Sequence, residues 1–280
     1  MCILFIAIEQ HPHFPLIIAA NRDEFADRST CRVHCWEAPN DFLGGRDLEA
    51  GGAWLGVSTK EAQSSRKFAL LTNVAPNVSK TRGYPPAAQE GAPSRGAIVP
   101  GFLTSPEHCT GQMYCQQLAR SEAKRYAGFN LIAGEVVHSR PLALSCSYFT
   151  NRSEDGGQIL TPGFYAISND AVLESNWSKT VRGKGLFRRV VDKHGGCRWA
   201  ERNKLVSSLF GTLLEDQHSD ESWSPATPIF MRRAHYCTRA STVIMVHASG
   251  AVQFTERNHD TDEDDDHAFT LPRSGAEARL

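Results

Sequence analysis

The chain lacks an excess of charge of either sign. Its 30 lysine and arginine residues are matched by 31 aspartate and glutamate residues, for a net charge of -1 at pH 7. Nucleic-acid-binding proteins normally carry a clustered basic excess that neutralises phosphates. The balance therefore argues against a nucleic-acid partner. The remaining composition, with 41% hydrophobic and 22% charged residues, is that of an ordinary globular protein.

Long apolar runs are also missing. The two longest, residues 2–8 and 14–20, are far shorter than the roughly 18 residues that a membrane-spanning helix needs. No basic segment precedes the first run, so the N-terminus resembles neither a secretory signal nor an Arg-rich transit peptide. These absences predict a soluble cytoplasmic protein without a transmembrane segment.

The eight cysteines form no CxxC pair and are dispersed along a chain long enough to build its own core. In a reducing compartment this distribution argues against a disulfide framework. Cys31 and Cys35 flank His34, but a structural zinc site would need a second ligand pair at fixed spacing. A calcium loop starting at Asp260 would have Asp and Leu where Gly and Glu are required. The sequence therefore predicts no resident metal.

Apolar runs of strand length, separated by polar turns, occupy much of the chain. The first two, residues 2–9 and 15–20, predict a hairpin. Helical patterns cover residues 111–125 and 177–216, and a Gly-Gly pair divides the second into two helices. Further strands are predicted at residues 53–58, 68–74, 129–136, 141–150, 164–168, 242–247 and 251–255. Neighbouring strands joined by short turns, with helices to cover them, predict an α+β fold with antiparallel sheets.

Three segments have a composition that is typical of loops, linkers or tails. The region around the two Gly-Gly pairs that precede Trp54 is predicted to be a loop. Residues 76–106 contain six prolines and predict a surface excursion with one short helix near Ser94. Residues 258–280 are rich in aspartate and predict a solvated, flexible tail. We therefore expect one domain over residues 1–257, followed by an acidic tail.

Cys2 has chemistry that depends on its position. Removal of Met1 would leave a residue that has both a thiol and a free α-amine. Because that amine has a pKa of about 7.7–8.0, part of it is neutral at pH 7 and can accept the thiol proton. The position thus allows an N-terminal nucleophile. Position alone favours the alternative, a small apolar residue at the start of a buried strand.

Four polar residues, Asn21-Arg22-Asp23-Glu24, follow the second apolar run. An arginine and two carboxylates at the end of a buried strand are costly unless they pair or reach solvent. If the first two strands form a hairpin, its open end brings this cluster beside Cys2, where it could hold the amine or a substrate. The alternative is an Arg–carboxylate pair that caps a turn.

Three more polar residues lie at the ends of predicted strands. Asn73 and Asn169 each end an apolar run, where an amide N–H could donate to a developing oxyanion. Asx turns are the alternative at such positions. Arg239 precedes a strongly β-like run and could neutralise a carboxylate or a carbonyl oxygen, or serve as a surface charge.

Short motifs over residues 1–257 occur together in a characteristic order. The most specific are the Met1-Cys2 start and the Asn21-Arg22-Asp23-Glu24 signature. Others are Gly51-Gly52-Ala53-Trp54, Leu71-Thr72-Asn73, Gly128-Phe129-Asn130, Ser168-Asn169, Trp177-Ser178-Lys179 and Thr238-Arg239. With these motifs the chain resembles the NRDE family, also called the transport and Golgi organisation protein 2 family. The resemblance implies an Ntn-hydrolase-like four-layer αββα sandwich with two antiparallel sheets.

The same resemblance implies a set of site residues. Ntn amidases that begin with cysteine use a charged pair after the second strand, two asparagines and an arginine. The analogous catalytic residues here would be Cys2, Arg22, Asp23, Asn73, Asn169 and Arg239. Those amidases space Arg and Asp differently, so Arg22, Asp23 or Glu24 could take the charged roles.

Functions of different classes follow from the resemblance. The family is associated with haem trafficking and with Golgi, mitochondrial and lipid homeostasis, which implies a binding protein near those organelles. The alternative is an N-terminal-cysteine amidohydrolase that cleaves a nonpeptide C–N bond. A trafficking factor without chemistry of its own is a third interpretation. The expected partner is a small molecule, either haem or an amide- or lipid-like compound. No cofactor is required, and haem is expected only as a transported ligand.

Overall fold

The computed structural model describes residues 2–60, 65–75, 91–121, 123–137, 139, 141–153, 155–216, 228–261 and 263–270. Within these ranges the backbone forms two antiparallel sheets and four α-helices, which confirms the predicted α+β class. The chain divides into two compact units. The first contains Met1–Asp27, Pro162–Ser168 and Leu173–Thr270, and the second contains Arg28–Thr161 and Asn169–Val172.

The elements follow one another along the chain in a mostly β order. The strands are β1 (Ile3–Ile8), β2 (Leu16–Phe25), β3 (Thr30–Trp36), β4 (Phe42–Asp47), β5 (Leu55–Ser58), β6 (Ser65–Asn73), β7 (Phe129–Val137), β8 (Ala143–Thr150), β9 (Gln158–Ile159), β10 (Gly163–Ile167), β11 (Tyr236–Val246), β12 (Ala251–Asn258) and β13 (Glu263–Thr270). The helices are α1 (Ile98–Leu103), α2 (Gly111–Ser121), α3 (Ser178–Lys193) and α4 (Arg202–Leu209), and a π-helical turn (Phe210–Leu214) continues α4.

The first unit contains a six-stranded sheet in the order β10-β1-β2-β11-β12-β13. β1 is buried at all six positions, which explains its continuous apolar run. The predicted hairpin between β1 and β2 is confirmed, with Ile3 opposite Asn21 and Ile8 opposite Leu16. Side chains of α3 and α4 form one hydrophobic core with this sheet.

Helix α3 packs closely on β1 at Gly183. A Cβ atom at this position would lie 2.4 Å from the Phe5 ring, so glycine is needed for the close approach. The buried face of α3 includes Lys179, Gly183 and Phe187, which are spaced four residues apart. Lys179 therefore lies one turn before the contact, on the face that packs against the sheet.

The second unit contains a seven-stranded sheet in the order β3-β4-β5-β6-β7-β8-β9. Phe102 of α1 and Leu118 of α2 share a hydrophobic core with sheet residues such as Leu131 and Phe149. This packing fixes the strand ends that carry Asn73 and the residues after β8.

The prediction of a loop around the two Gly-Gly pairs is wrong for the first pair, because β3 and β4 form a hairpin there. Gly44 and Gly45 lie inside β4. A Cβ at Gly44 would lie 2.6 Å from the main-chain oxygen of Leu55, and one at Gly45 would lie 2.4 Å from the Trp54 ring. These glycines allow close packing within the sheet and do not form a turn.

Two other segments contain more strand than the sequence predicted. β2 continues through the polar cluster to Phe25, because the backbone there pairs with β11. Part of the predicted acidic tail forms β13 against β12, where Arg257 Nε donates to Asp264 Oδ1 at 2.7 Å. Residues 76–90 and 271–280 lie outside the described residues, and the domain boundary at residue 257 stays a prediction.

Candidate functional site

The open end of the β1–β2 hairpin brings Cys2 beside the polar cluster of β2. Cys2 Sγ lies 3.9 Å from the main-chain oxygen of Asp23. Ser168 Oγ donates a hydrogen bond of 2.8 Å to the main-chain oxygen of Cys2 and so ties this residue to the end of β10. The expected proximity is therefore present, while the catalytic roles of these residues stay predictions.

Of the three charged residues of the cluster, Asp23 has its main-chain oxygen 3.9 Å from the Cys2 thiol. Arg22 is buried and Glu24 is partly exposed, with Glu24 Oε1 accepting a hydrogen bond of 2.9 Å from the Phe25 main-chain N–H. These candidate residues thus differ in position. The main chain of Asp23 lies next to the thiol, whereas the Glu24 carboxylate accepts a hydrogen bond from the main chain of the next residue.

The Asp23 carboxylate is held from β11. Its Oδ1 accepts a hydrogen bond of 2.6 Å from Thr238 Oγ1, and its main-chain oxygen accepts one of 3.0 Å from the Tyr236 hydroxyl. Burial raises the pKa of the Asp23 carboxyl, whereas Lys179 and the Thr238 hydrogen bond lower it. The carboxylate is therefore both fixed in orientation and sensitive to nearby charge.

Cys2 is partly exposed, and its thiol is affected by the charges around it. Burial raises the pKa of the thiol, and the negative charge of Asp23 raises it further. The positive charge of Arg22 has the opposite effect on this pKa. Since the thiolate is the reactive form, the surrounding positive charges determine whether this thiol can react.

Lys179 is a candidate to which the sequence interpretation gave no role. It is 1% exposed, and within the described residues Nζ has no hydrogen-bond partner. Burial lowers the pKa of Lys179, and the charges of Asp23 and Cys2 counteract this effect. A signal was available, because a lysine in the first turn of a helix opposes the helix dipole.

Asn21, the first residue of the signature, has a structural role. Its Nδ2 donates to the main-chain oxygens of Leu214 at 2.8 Å and of Ile229 at 2.9 Å. Its Oδ1 accepts a hydrogen bond of 2.6 Å from Ser241 Oγ. Asn21 thereby attaches the end of the π-helical turn to β2 and β11, within the unit that positions Cys2.

Arg239 lies at a β-bulge of β11 and is 8% exposed. Its Nε donates to Asp260 Oδ1 at 2.7 Å, and its Nη1 donates to the main-chain oxygen of Phe25 at 2.7 Å. The sequence interpretation allowed for neutralisation of a carboxylate, and Asp260 is that carboxylate. A role of Arg239 toward a substrate stays a prediction.

Asn73 and Asn169 lie together in the second unit. Asn169 Nδ2 donates a hydrogen bond of 2.7 Å to the main-chain oxygen of Asn73, and Ala75 N–H donates one of 2.8 Å to the main-chain oxygen of Asn169. Although the two asparagines are far apart in sequence, the fold therefore links them directly. Their role as oxyanion donors stays a prediction.

Metal-binding clusters and membrane-spanning helices are both absent from the described residues. In the part of the chain that the structure describes, no group of three or more His, Cys, Asp or Glu side chains is arranged to hold a metal ion. No α-helix among the same residues is sufficiently long and apolar to cross a bilayer.

The chain is similar along most of its length to members of one protein family. Residues 1–261 match the family model described as Transport and Golgi organisation 2. The Bos taurus protein named Transport and Golgi organization protein 2 homolog is 34% identical over 279 residues, which cover 92% of this chain and 93% of the relative. The Homo sapiens homolog is 33% identical with the same coverage. Among solved structures, Anbu from Hyphomicrobium sp. strain MC1 is similar with 13% identity and a TM-score of 0.41, over 98% of this chain and 89% of that chain.

Proposed function

This chain belongs to the Transport and Golgi organisation 2 family, and we propose that its chemistry is that of an N-terminal-cysteine amidohydrolase acting on a nonpeptide C–N bond. The observation that supports this proposal best is the placement of Cys2. Its thiol lies at the open end of a hairpin, 3.9 Å from the main chain of Asp23, whose carboxylate is fixed by Thr238. A thiol at the N-terminus, with its own amine as the base, has the arrangement of an activated nucleophile.

The proposed reaction starts after removal of Met1. The neutral α-amine of Cys2 accepts the thiol proton, and the thiolate attacks the substrate carbonyl carbon to form a C–S bond. The resulting ammonium returns the proton to the leaving nitrogen as the C–N bond breaks. Water then hydrolyses the thioester, which releases the acid and restores the thiol. The Asp23 carboxylate orients the ammonium in this scheme.

The remaining predicted residues enter the proposal on the family resemblance. Asn73 and Asn169 would donate to the oxyanion, and Arg22 and Arg239 would supply positive charge. Arg22 has electrostatic support, because its charge lowers the pKa of the Cys2 thiol.

Retention of the residue before Cys2 provides the decisive experiment. We expect protein whose intact mass shows loss of Met1 to hydrolyse members of a panel of N-acyl amides. A variant with a tag directly before Cys2, and Cys2→Ala, should both lose this activity, because each lacks the amine or the thiol. Cys35→Ala, at an exposed cysteine of β3, is the matched control and should retain it. Equal hydrolysis by Cys2→Ala, or a mature chain that keeps Met1, would refute the proposal.

A second proposed function is the handling of haem or a lipid-like ligand, with action at the Golgi or mitochondria from the cytoplasmic side. Its support is the family resemblance together with the names of the cattle and human relatives, which refer to transport and Golgi organisation. Titration of the wild-type protein with haem should shift the Soret band, and Cys2→Ala tests whether the thiol is a ligand. Absence of a shift would count against haem handling.

A further inference from the structure

The β3–β4 hairpin of the second unit lines a cavity that the proposed amidohydrolase chemistry does not use. The volume of this cavity is about 310 Å³, near the lower end of the range for small-molecule sites. Its wall includes His34 and Cys35, which the sequence raised only as zinc ligands, together with Trp36, Glu37 and Arg46. All five residues lie in or directly beside β3 and β4, so the hairpin alone builds this part of the wall.

The aromatic part of the wall is fixed by contacts within the hairpin. Trp36 Nε1 donates a hydrogen bond of 3.0 Å to the main-chain oxygen of Gly44, and the Trp36 ring stacks on Phe42 with centroids 4.5 Å apart. His34 lies two residues earlier on the same face of β3. Its ring is nearly parallel to that of Trp36, with 10° between the ring planes and 5.9 Å between the centroids. His34 Nδ1 donates to the main-chain oxygen of Arg32 at 2.8 Å, which orients the imidazole.

Two side chains of opposite charge line the cavity beside these rings. The Arg46 guanidinium carbon lies 4.9 Å from the centroid of the Trp36 ring, and stacking of this kind leaves the N–H groups at the guanidinium edge available. Glu37 begins the turn after β3, which is closed by a hydrogen bond of 3.0 Å from the Asn40 main-chain N–H to the Glu37 main-chain oxygen. Arg46 and Glu37 are both exposed, and within the described ranges no ion pair joins their side chains to each other or to another residue.

This arrangement of charge favours one class of ligand. A simple anion would be attracted to Arg46 and repelled by Glu37, and a simple cation would meet the reverse. A zwitterion satisfies both, since its carboxylate can bind the guanidinium in a bidentate manner and its ammonium can bind the Glu37 carboxylate. We propose that the cavity binds a small zwitterion of amino-acid or dipeptide size, with an aromatic side chain that packs against the rings of His34 and Trp36. The inference goes beyond the proposed function, because it uses no residue of the Cys2 site.

Isothermal titration calorimetry of the full chain tests the proposal with four probes. L-phenylalanine and glycyl-L-phenylalanine are zwitterions, N-acetyl-L-phenylalanine lacks the ammonium, and L-phenylalaninamide lacks the carboxylate. We expect each blocked form to bind at least about tenfold more weakly than L-phenylalanine, because it loses one charge-assisted contact. The tighter binder of the two zwitterions then identifies the ligand as an amino acid or a dipeptide.

Two charge-neutralising variants assign the ends of the ligand. Glu37→Gln should bind L-phenylalanine about tenfold more weakly and should no longer distinguish it from the N-acetyl form. Arg46→Gln should show the same weakening and should no longer distinguish L-phenylalanine from the amide form. Arg120→Gln, at an exposed arginine of α2, and Glu107→Gln, at an exposed glutamate after α1, are the matched controls and should bind like the wild type.

Cys35 provides a second readout, because its exposed thiol lines the same cavity. L-phenylalanine should slow the alkylation of Cys35 by iodoacetamide in the wild type and much less in Arg46→Gln, with peptide mass mapping to separate Cys35 from the other cysteines. Equal binding of the free and blocked forms by the wild type would overturn the proposal, as would the absence of binding of both zwitterions at about 10 mM. Wild-type preferences in both folded variants would also overturn it.

Discussion

The two units each bury a lysine almost completely, and the surroundings of the two ammonium groups differ. Lys67, in β6 of the second unit, is 0% exposed, and its Nζ donates to Ser105 O at 3.1 Å, Ser105 Oγ at 2.7 Å and Pro106 O at 2.8 Å. Lys179, in α3 of the first unit, is 1% exposed and has no acceptor in the described part of the chain. The Lys67 ammonium thus uses all three of its N–H donors, whereas the Lys179 ammonium makes no hydrogen bond with the described residues.

This difference separates a structural lysine from a functional candidate. Lys67 donates to two main-chain oxygens of the loop that follows α1 and so fixes this loop to β6. Lys179 Nζ has no hydrogen-bond acceptor among the described residues, and burial lowers the pKa of Lys179, an effect that the charges of Asp23 and Cys2 counteract. Burial of a lysine therefore does not by itself indicate a functional site. The number of hydrogen-bond acceptors around the buried ammonium group distinguishes the two lysines.

The largest effect on stability is expected for Lys67→Met. The substitution keeps an apolar stem but removes three hydrogen bonds to Ser105 and Pro106, each worth about 0.5–1.5 kcal/mol, although Pro106 O still accepts from the Cys109 main-chain N–H. We expect the free energy of unfolding to fall by about 2 kcal/mol, measured by urea denaturation at pH 7. Lys124→Met, at an exposed lysine of the same unit, is the control. A loss below about 1 kcal/mol would remove the distinction between the two lysines.

Lys179→Met should change stability much less, by at most about 1 kcal/mol in either direction. No hydrogen bond of the described residues is broken, and release of a buried ammonium offsets the loss of its attraction to Asp23. The same urea experiment measures this value. If Lys179→Met destabilised the protein as much as Lys67→Met, Lys179 would be a structural residue.

The comparison also shows what the sequence could predict. The β1–β2 hairpin follows from two apolar runs around a short polar turn, and the hairpin alone brings Cys2 close to Asp23. β3 and β4 could not be predicted in the same way, because Gly44 and Gly45 are typical of turns in isolation. Their purpose, close packing against Leu55 and Trp54, depends on neighbours in the folded sheet.

Partners of individual charged residues were less predictable still. Arg239 could be assigned to a carboxylate, but that the carboxylate is Asp260 depends on the pairing of β11 with β12 and on a bulge in β11. Lys179 could be noticed only as a lysine in the first turn of a helix. Its burial depends on the close packing of α3 against β1 at Gly183, which no local pattern encodes.

His11 extends the comparison to a buried group that is held neutral by its hydrogen bonds. Its Nδ1 accepts from the main-chain N–H groups of His13 at 3.1 Å and Phe14 at 3.2 Å, so Nε2 bears the hydrogen and donates to His194 O at 2.9 Å. Burial lowers the pKa of His11, and the nearby His13 lowers it further. Protonation of Nδ1 would break both main-chain hydrogen bonds.

The smallest expected effect is therefore an acid sensitivity of the first unit. Because the folded-state pKa of His11 lies below the unfolded value of about 6.5, the unfolded chain binds more protons between the two values. The stability contribution of neutral His11 is complete above pH 6.5 and is lost as the pH falls through the folded-state pKa. We expect unfolding by urea to cost about 1 kcal/mol less at pH 5.5 than at pH 7.5, and His11→Gln to reduce this difference. His108→Gln, at an exposed histidine of the second unit, should leave it unchanged, and an equal effect of both variants would locate the acid sensitivity elsewhere.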